Sequence, residues 1–326
     1  LSLRNPQGFS IDSLGRQGER GSRAMVSAYD GTGARSPQWW PSRYGVGDER
    51  GAANELTDER TLAALRVPRS GQVFQLGQVL TDTSPGYGQR FFKQVILAHE
   101  TAMPICPDGS RLTCFEESIT TTFQIGTHLD NLNHVGIDGR FYNGVHFSEF
   151  YSPTKLGKYG SETTPAWVCR GVMLDIAALM GVEMLDATFE ITPEHLEQAC
   201  DRQSVEVQAG DALLLHTGWG SLWNVEAKRF TASEPGPGWD AAHWITDRRV
   251  SMIGADTWGV EVFPTVDPAR VFVAHQHWLA ETGTYIVENV NTRELAANGH
   301  AEFLFMMSPI RTEGSTGSMV APIAVV

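Results

Sequence analysis

The fold class is decided by three consecutive segments, RGVMLDIAAL at residues 170–179, ITPEHLEQA at residues 191–199 and GDALLLHTGW at residues 210–219. The first and third are short apolar runs near glycines, which is typical of buried strands. The middle segment has Thr192 at an N-cap position and Pro193 at the first helical position, as helix N-termini favour. Strand, helix and strand in this order predict a mixed α/β fold.

Further signals continue this pattern on both sides. Thr57, followed by two acidic residues, is a typical N-cap and predicts a helix. RVSMIGAD at residues 249–256 predicts another strand. Residues 270–290 predict a strand or turn, a short helix from about Ala274 and a strand that ends near Glu288.

The Pro/Gly stretch ASEPGPGWD at residues 232–240 predicts a surface loop rather than a linker, because strand signals resume after it. Residues 1–24 are rich in Gly, Arg and Ser and have no sustained period, which predicts a poorly ordered segment with Met25 as the natural start. We expect an arm over residues 1–44, partly disordered or extended. One domain over residues 45–326 is expected to have a central β-sheet or barrel-like core flanked by helices.

The chain is acidic, with a formal net charge of -13 and a pI of about 5.2 over 326 residues. Such a surface repels nucleic acid and anionic membranes. No apolar run approaches the roughly 20 residues of a membrane span, and the first residues lack the apolar core of a signal peptide. We therefore expect a cytoplasmic protein with a small-molecule ligand and neither a nucleic-acid nor a membrane partner.

The cysteine pattern predicts reduced thiols. The four cysteines form no CxxC pair and are Cys106, Cys114, Cys169 and Cys200. Wide spacing in a long chain is typical of cytosolic thiols rather than of a disulfide framework. The alternative is an oxidised pair between Cys106 and Cys114, which flank a short segment.

Most of the candidate chemistry lies in QIGTHLDNLNH, residues 124–134. If residues 123–130 form a strand, alternation places Gln124, Gly126, His128 and Asp130 on one face. Imidazole nitrogen and carboxylate oxygen are good ligands for Zn²⁺ or Mn²⁺, and an amide oxygen is an acceptable one. His134 follows closely enough to act as a proton shuttle.

The same residues also have a structural interpretation. A histidine near a strand is often only a hydrogen-bonded core or surface residue. Asp130, Asn131 and Asn133 are typical turn formers, because their side chains bond to nearby backbone. The spacing alone leaves both interpretations open.

The motif resembles the HxGTHxDxPxH signature of the metal-dependent cyclase-like hydrolases, the family of kynurenine formamidase and isatin hydrolase type. Further segments resemble the family in the same order, namely AANELTDERTLAAL, RGVMLDIA, GDALLLHTGW, YIVENVN and SPIRTEGSTGSMVAPIAV. The resemblance covers roughly residues 45–326. It implies the family's swivelling β/β/α fold, a divalent metal cofactor and a homo-oligomer, either a dimer or a tetramer.

The resemblance assigns roles to four residues. His128 and Asp130 correspond to metal ligands and His134 to the catalytic histidine. Glu288 matches the acidic residue that completes the site, either as a ligand or as a catalytic group that orients water. A decayed site would have little reason to retain all four.

Two positions depart from the family pattern. Gln124 stands where the family has its first ligand histidine, and Gln276 falls on a later histidine, about twelve residues before the glutamate. Because amide oxygens are poorer donors for Zn²⁺ than imidazoles, we expect one divalent ion, Mn²⁺ or Zn²⁺, with both glutamines as candidate ligands. A one-residue shift would present His275 or His277 instead, and the alternative is that one of these packs beside Trp278.

In such a site the metal polarises a carbonyl and activates water, while His134 transfers protons, since imidazole has an ordinary pKa near 6.5. Asp256 either hydrogen-bonds a ligand residue or caps a turn. Candidate substrate contacts are Phe141, Tyr142, Trp258 and His277. The tryptophans that could line a pocket for a flat substrate are Trp219, Trp223, Trp239, Trp244 and Trp258.

Three functions fit these features. The first is hydrolysis of an amide or lactam C–N bond, or of a lactone, by metal-activated water. The second is a cyclase or lyase in which the metal stabilises an enolate. The third is a small-molecule binding protein that kept the fold and lost the chemistry. The four retained residues favour an enzyme.

Overall fold

A nine-stranded mixed sheet forms the centre of the computed structural model, which describes residues 38–97, 115–265 and 271–326. The strands in these ranges are β1 (Val73–Gln75), β2 (Phe92–Leu97), β3 (Glu116–Thr121), β4 (His128–Asp130), β5 (Trp167–Asp175), β6 (Glu190–Ile191), β7 (Ala212–His216), β8 (Gly236–Pro237), β9 (Met252–Ala255), β10 (Tyr285–Glu288), β11 (Glu302–Met307), β12 (Gly317–Met319) and β13 (Ile323–Val325).

Strand order in the large sheet is β1-β13-β11-β5-β7-β9-β10-β4-β12. Strands β5, β7, β9 and β10 are parallel, and the outer strands pair antiparallel. The sheet curls into a half-barrel. Leu213, Leu214 and Leu215 of β7 are fully buried, as expected of a strand covered on both faces. The predicted mixed α/β fold is confirmed.

Helices flank this sheet. They are α1 (Asp58–Ala64), α2 (Ile176–Leu179), α3 (Pro193–Gln203), α4 (Ala227–Ala232), α5 (Trp239–Asp247), α6 (Val273–His275) and α7 (Arg293–Ala297), and a π-helix (Gln276–Thr282) continues α6. Thr57 caps α1 by accepting a hydrogen bond from the Arg60 N–H at 3.3 Å. Within the described ranges, no helix combines the length and apolar character needed to cross a membrane.

The sequence patterns located most helices and strands correctly but misplaced the end of one strand. Pro193 begins α3, and β7, β9 and β10 lie inside their predicted segments. The predicted strand over residues 170–179 is only partly correct, because its last four residues form α2. Asp175 explains this change, since its carboxylate accepts the Ala178 N–H at 2.8 Å and caps the new helix.

The predicted surface loop at residues 232–240 is wrong, because residues 234–238 are buried and α5 begins at Trp239. The Glu234 carboxylate accepts the backbone N–H groups of Trp258 at 2.6 Å and Gly259 at 3.1 Å. A Cβ on Gly236 would lie 2.1 Å from the Val260 carbonyl oxygen. This segment therefore uses glycine for close backbone packing rather than for a turn in solvent.

The predicted arm is described only from Gln38 onward. In that part, Ser42 Oγ lies 2.5 Å from Tyr142 Oη, and the Tyr44 hydroxyl donates to Glu55 at 2.8 Å. These contacts attach the end of the arm to the sheet-containing body.

Several sequence predictions fall outside the described residues. These are the poorly ordered segment over residues 1–24, the start at Met25, and Cys106 and Cys114. The two described cysteines, Cys169 and Cys200, are free thiols.

Glu234 gives the buried segment a pH-dependent stability. Burial, followed by the negative charge of Glu288, raises the pKa of Glu234 well above its ordinary value. Its stabilising contribution is thus complete below the unfolded-state pKa and is lost as the pH rises through the folded-state pKa. Glu234→Gln removes this titration. Urea unfolding at several pH values should show the wild type losing stability relative to Glu234→Gln as the pH rises, whereas parallel curves would contradict this role.

Candidate metal centre

Three buried side chains converge where β4 and β10 meet. In the antiparallel register, His128 lies opposite Glu288, and Asp130 lies two residues further on the same strand. His128 Nε2 is 3.0 Å from Glu288 Oε2 and 3.6 Å from Asp130 Oδ1. One ligand atom of each residue lies within 4.8 Å of the other two. We call His128, Asp130 and Glu288 the triad.

Gly126 fixes the orientation of His128. The predicted strand over residues 123–130 is regular only at His128–Asp130, because Gly126 has a φ of +60°. This turn brings the Gly126 carbonyl within 2.8 Å of His128 Nδ1. When Nδ1–H donates to that carbonyl, the lone pair of Nε2 faces the carboxylates, which is the usual arrangement of a metal-binding histidine.

The triad leaves buried polar atoms without hydrogen-bond partners. These are His128 Nε2 and both carboxylate oxygens of Asp130. The 3.0 Å approach of His128 Nε2 to Glu288 lacks hydrogen-bond geometry. Buried groups of this kind are normally paired, and converging acceptors of nitrogen and carboxylate type fit a divalent cation. In the described part of the chain, this is the one such group of His, Cys, Asp or Glu side chains.

His275 extends the site on the far side of Glu288. Its Nε2 lies 3.2 Å from Glu288 Oε1, and its Nδ1 lies 2.5 Å from Glu261 Oε1. Glu261 also accepts the backbone N–H of His275 at 2.8 Å. Burial opposes the charged imidazole, but the two carboxylates outweigh burial and raise the pKa of His275 to about 10.

His134 is a partly exposed neighbour of Asp130. Its Nε2 is 3.8 Å from Asp130 Oδ1, and its side chain is 24% exposed. Burial lowers the pKa of His134, although the carboxylates of Asp130 and Glu288 act in the opposite direction. A neutral imidazole beside the triad is suited to accept a proton.

Arg90 contacts the triad and has no local sequence signal. Its Nη1 donates to Glu288 Oε2 at 3.3 Å across 198 residues of sequence. Burial acts to raise the pKa of Glu288, yet His128, His275 and Arg90 outweigh it and hold that pKa well below its usual range. Glu261 is likewise missed by the sequence patterns, because it is a single acid in an apolar run.

Similarity to known proteins identifies the family. A family model described as "Putative cyclase" matches residues 74–262, more than half of the chain. The chain belongs to the cyclase family. No curated protein matches it.

Solved structures of similar shape agree with this family. A novel cyclase superposes with a TM-score of 0.78 at 29% identity, covering 87% of this chain and 98% of that one. Isatin hydrolase A from Ralstonia solanacearum gives 0.59 at 20% identity, covering 78% and 92%. A potential metal-dependent hydrolase with cyclase activity gives 0.51 at 14% identity, covering 78% and 98%. The last two show the shared fold.

His275 is the histidine that faces the triad in this cyclase-family chain. The family pattern falls on Gln276, but His275 contacts Glu288, and the Gln276 side chain has no described contact with the triad. The π-helix Gln276–Thr282 lies between His275 and Glu288. Its i→i+5 hydrogen bonds span one residue more than those of an α-helix.

Gln124 borders the triad without a described bond to it. Its Nε2 donates to Thr316 Oγ1 at 2.9 Å. A Cβ on Gly317 would lie 2.8 Å from Gln124 Nε2 and 3.6 Å from Asp130 Oδ1. Both side chains thus border Gly317, and the role of Gln124 as a ligand stays a prediction.

Other predicted residues are positioned by contacts away from the triad. His277 bonds to Thr246 at 2.9 Å and Glu281 at 2.7 Å, which directs it towards α5. Tyr142 is fully buried and donates to Asp48 at 2.7 Å. Phe141 packs edge-to-face with Phe150.

Asp256 caps a turn, which is one of the two roles that its sequence position predicts. One carboxylate oxygen accepts both the backbone N–H and the hydroxyl of Thr217, at 2.9 and 2.6 Å. Together with His216 and Arg293 it lines a cavity of about 230 Å³. His216 is one residue beyond the position level with Glu288 in the parallel register, so alternation places it on the opposite sheet face. This cavity is separate from the triad.

The tryptophans are mostly core residues. Trp219 and Trp223 are buried in a cluster with Phe230, and Trp244 packs beneath the Arg248 guanidinium. Trp239 packs against the His243 and His277 rings.

Trp258 belongs to the same buried cluster and is the member with ring contacts to Tyr87 and Phe272. It stacks on Tyr87 at 4.3 Å and packs with Phe272, which contacts the His275 ring at 5.4 Å. These ring contacts link Trp258 to His275, which in turn contacts Glu288 of the triad.

His275→Gln should weaken zinc binding by about tenfold or more, as loss of a group beside a metal site commonly does. The neighbouring Gln276→Ala should leave zinc affinity unchanged. Competition with a chromophoric chelator measures both. A larger effect of Gln276→Ala would show that the helix presents the family position instead.

Gln124→His should raise zinc affinity, because imidazole is a stronger donor for Zn²⁺ than an amide oxygen. Metal titration of wild type, Gln124→His and the donor-free control Gln124→Leu tests this. Unchanged affinity in Gln124→His would make Gln124 a polar neighbour of the site and leave the donor set to the triad.

Proposed function

We propose that this cyclase-family protein is a metal-dependent hydrolase of a small carbonyl substrate, cleaving an amide or lactam C–N bond or a lactone. The observation that carries the proposal is the set of buried, unpartnered acceptor atoms on His128 and Asp130. Catalytic metal sites combine such ligands with access for substrate. The names of the similar structures, isatin hydrolase among them, support the same class of reaction.

The proposed ligands of a single Mn²⁺ or Zn²⁺ ion are His128, Asp130 and Glu288, with His275 alongside. Gln124 is proposed as a further oxygen donor. Gln276 is left out of the proposed set, because His275 rather than Gln276 contacts Glu288. A bound divalent ion would polarise the substrate carbonyl and lower the pKa of water. The Gly126 carbonyl keeps His128 in the tautomer that binding requires.

His134 is the proposed proton carrier. It is the partly exposed imidazole beside Asp130, and burial lowers its pKa, so the neutral ring can accept a proton from attacking water. The same nitrogen can then return the proton to the leaving nitrogen or oxygen. Glu288, held between His128 and His275, keeps its charge and orients these groups.

The proposed substrate is flat or aromatic. Tyr87 and Trp258 stack with an interplanar angle of 11°, and Phe272 links them to His275. Such rings favour apolar, planar ligands. Phe141 stays a candidate wall, while Tyr142 and His277 have the structural contacts described above.

Oxygen transfer from water tests hydrolysis against the enolate reaction of a cyclase or lyase. Turnover of an amide and lactone panel in ¹⁸O-labelled water should place label in the product carboxylate. His134→Gln should lower kcat by about 10²- to 10⁴-fold, and Asp130→Asn should remove both metal and activity.

His146→Gln serves as the matched control, because His146 contacts Ser148 outside the triad. Product without label would favour the cyclase or lyase reaction. Full activity in Asp130→Asn would exclude the triad as the catalytic centre.

A further inference from the structure

Arg90 lies on a turn beside the triad, and contacts at both ends of the turn hold it in place. The turn runs from Tyr87 to Arg90, with the Arg90 N–H donating to the Tyr87 carbonyl at 3.3 Å. Gly88 supplies a φ of +65°. At one end Tyr87 stacks on Trp258 at 4.3 Å, and at the other Arg90 pairs with Glu288. We call residues 87–90 the Arg90 turn.

Both oxygens of Glu288 already have cationic or imidazole neighbours. Oε2 lies 3.3 Å from Arg90 and 3.0 Å from His128, and Oε1 lies 3.2 Å from His275. A divalent ion bound at the triad would therefore share Glu288 with Arg90. Since like charges repel, the ion and the guanidinium would compete for this carboxylate.

Arg90 retains unused binding capacity. A guanidinium presents five N–H donors in a planar fork that matches a carboxylate. The contact with Glu288 is its one ion pair in the described structure, and 21% of the side chain is exposed. Tyr87, at the other end of the same turn, stacks on Trp258.

We propose that Arg90 forms a subsite for the carboxylate of a small aromatic ligand bound at the triad. This inference rests on the proposed function, because it assumes that a divalent ion occupies the triad. Such an ion would engage the negative charge of Glu288 that otherwise pairs with Arg90. The carboxylate has two possible sources: the substrate carries it beside the scissile bond, or hydrolysis creates it. In both cases Arg90 determines specificity by favouring anionic over neutral ligands of the same shape.

The metal alone provides the first arm of the test, which needs no turnover. Arg90→Gln should bind Zn²⁺ about tenfold more tightly than wild type, because a competing positive charge is removed. Arg90→Lys keeps the charge and should stay close to wild type. If Arg90 only holds Glu288 in place, Arg90→Gln should bind Zn²⁺ more weakly, and the proposal is overturned.

The second arm measures ligand binding to the zinc-loaded protein by calorimetry. Benzoate represents a carboxylate formed at the reacting carbon, phthalamate represents one carried beside an intact amide, and benzamide is the neutral control. Arg90→Gln should weaken benzoate or phthalamate by about 30-fold or more, as loss of one partner of a desolvated charge pair does. Benzamide should change by less than about twofold. The more affected anion identifies the source of the carboxylate.

Arg293→Gln is the matched control, because Arg293 lines the separate cavity with His216. Equal weakening of benzamide and the anions, or no weakening of either anion, overturns the Arg90 subsite while leaving metal-dependent hydrolysis intact. A wild-type protein that binds no Zn²⁺ or Mn²⁺ overturns the proposed function together with this inference. The metal titration therefore distinguishes the two failures.

Discussion

The antiparallel pairing of β4 with β10 is the contact on which the site depends. It places His128 against Glu288 although they are far apart in sequence, and alternation brings Asp130 to the same face. Burying two carboxylates costs several kcal/mol each unless they are compensated. Compensation comes from Arg90 and His275 on Glu288, whereas the Asp130 oxygens have no hydrogen-bond partner. Asp130 is thus the less compensated carboxylate, so a cation bound beside it would stabilise the structure most.

The parallel strands and the π-helix position the groups around that pairing. Parallel β7, β9 and β10 bring their carboxyl ends to one edge of the sheet, where polar residues of α/β proteins commonly gather. His275 reaches this edge from α6, and a π-helix follows it before Glu288. The structure thus presents a histidine to the triad where the family pattern falls on Gln276.

The sequence predicts the local parts of this arrangement well. Apolar runs and cap residues locate β7, β9, β10 and α3, because the burial of a strand and the capping of a helix depend on residues that are neighbours in the sequence. His128 and Asp130 lie within one motif, and Glu288 is reached through the family resemblance. The structure brings these three together.

Long-range contacts account for what the sequence leaves out. Arg90 and Glu261 gain significance only from partners distant in the chain. The Pro/Gly segment at residues 232–240 carries turn signals, yet Gly236 is needed for close backbone approach to Val260. Turn propensity cannot separate that use of glycine from a solvent-exposed loop.

The groups at and around the triad differ in their exposure to solvent, and this difference suits them to different roles. His128 and Asp130 have no exposed side-chain surface and Glu288 has 2%, so their charges act in a water-poor environment where electrostatic interactions are strong. His134 and Arg90 retain 24% and 21% exposure. Of these two side chains, one is suited to moving a proton and one to holding a negative charge. In the proposed site, the buried groups would hold a cation and the partly exposed groups would act on the ligand beside it.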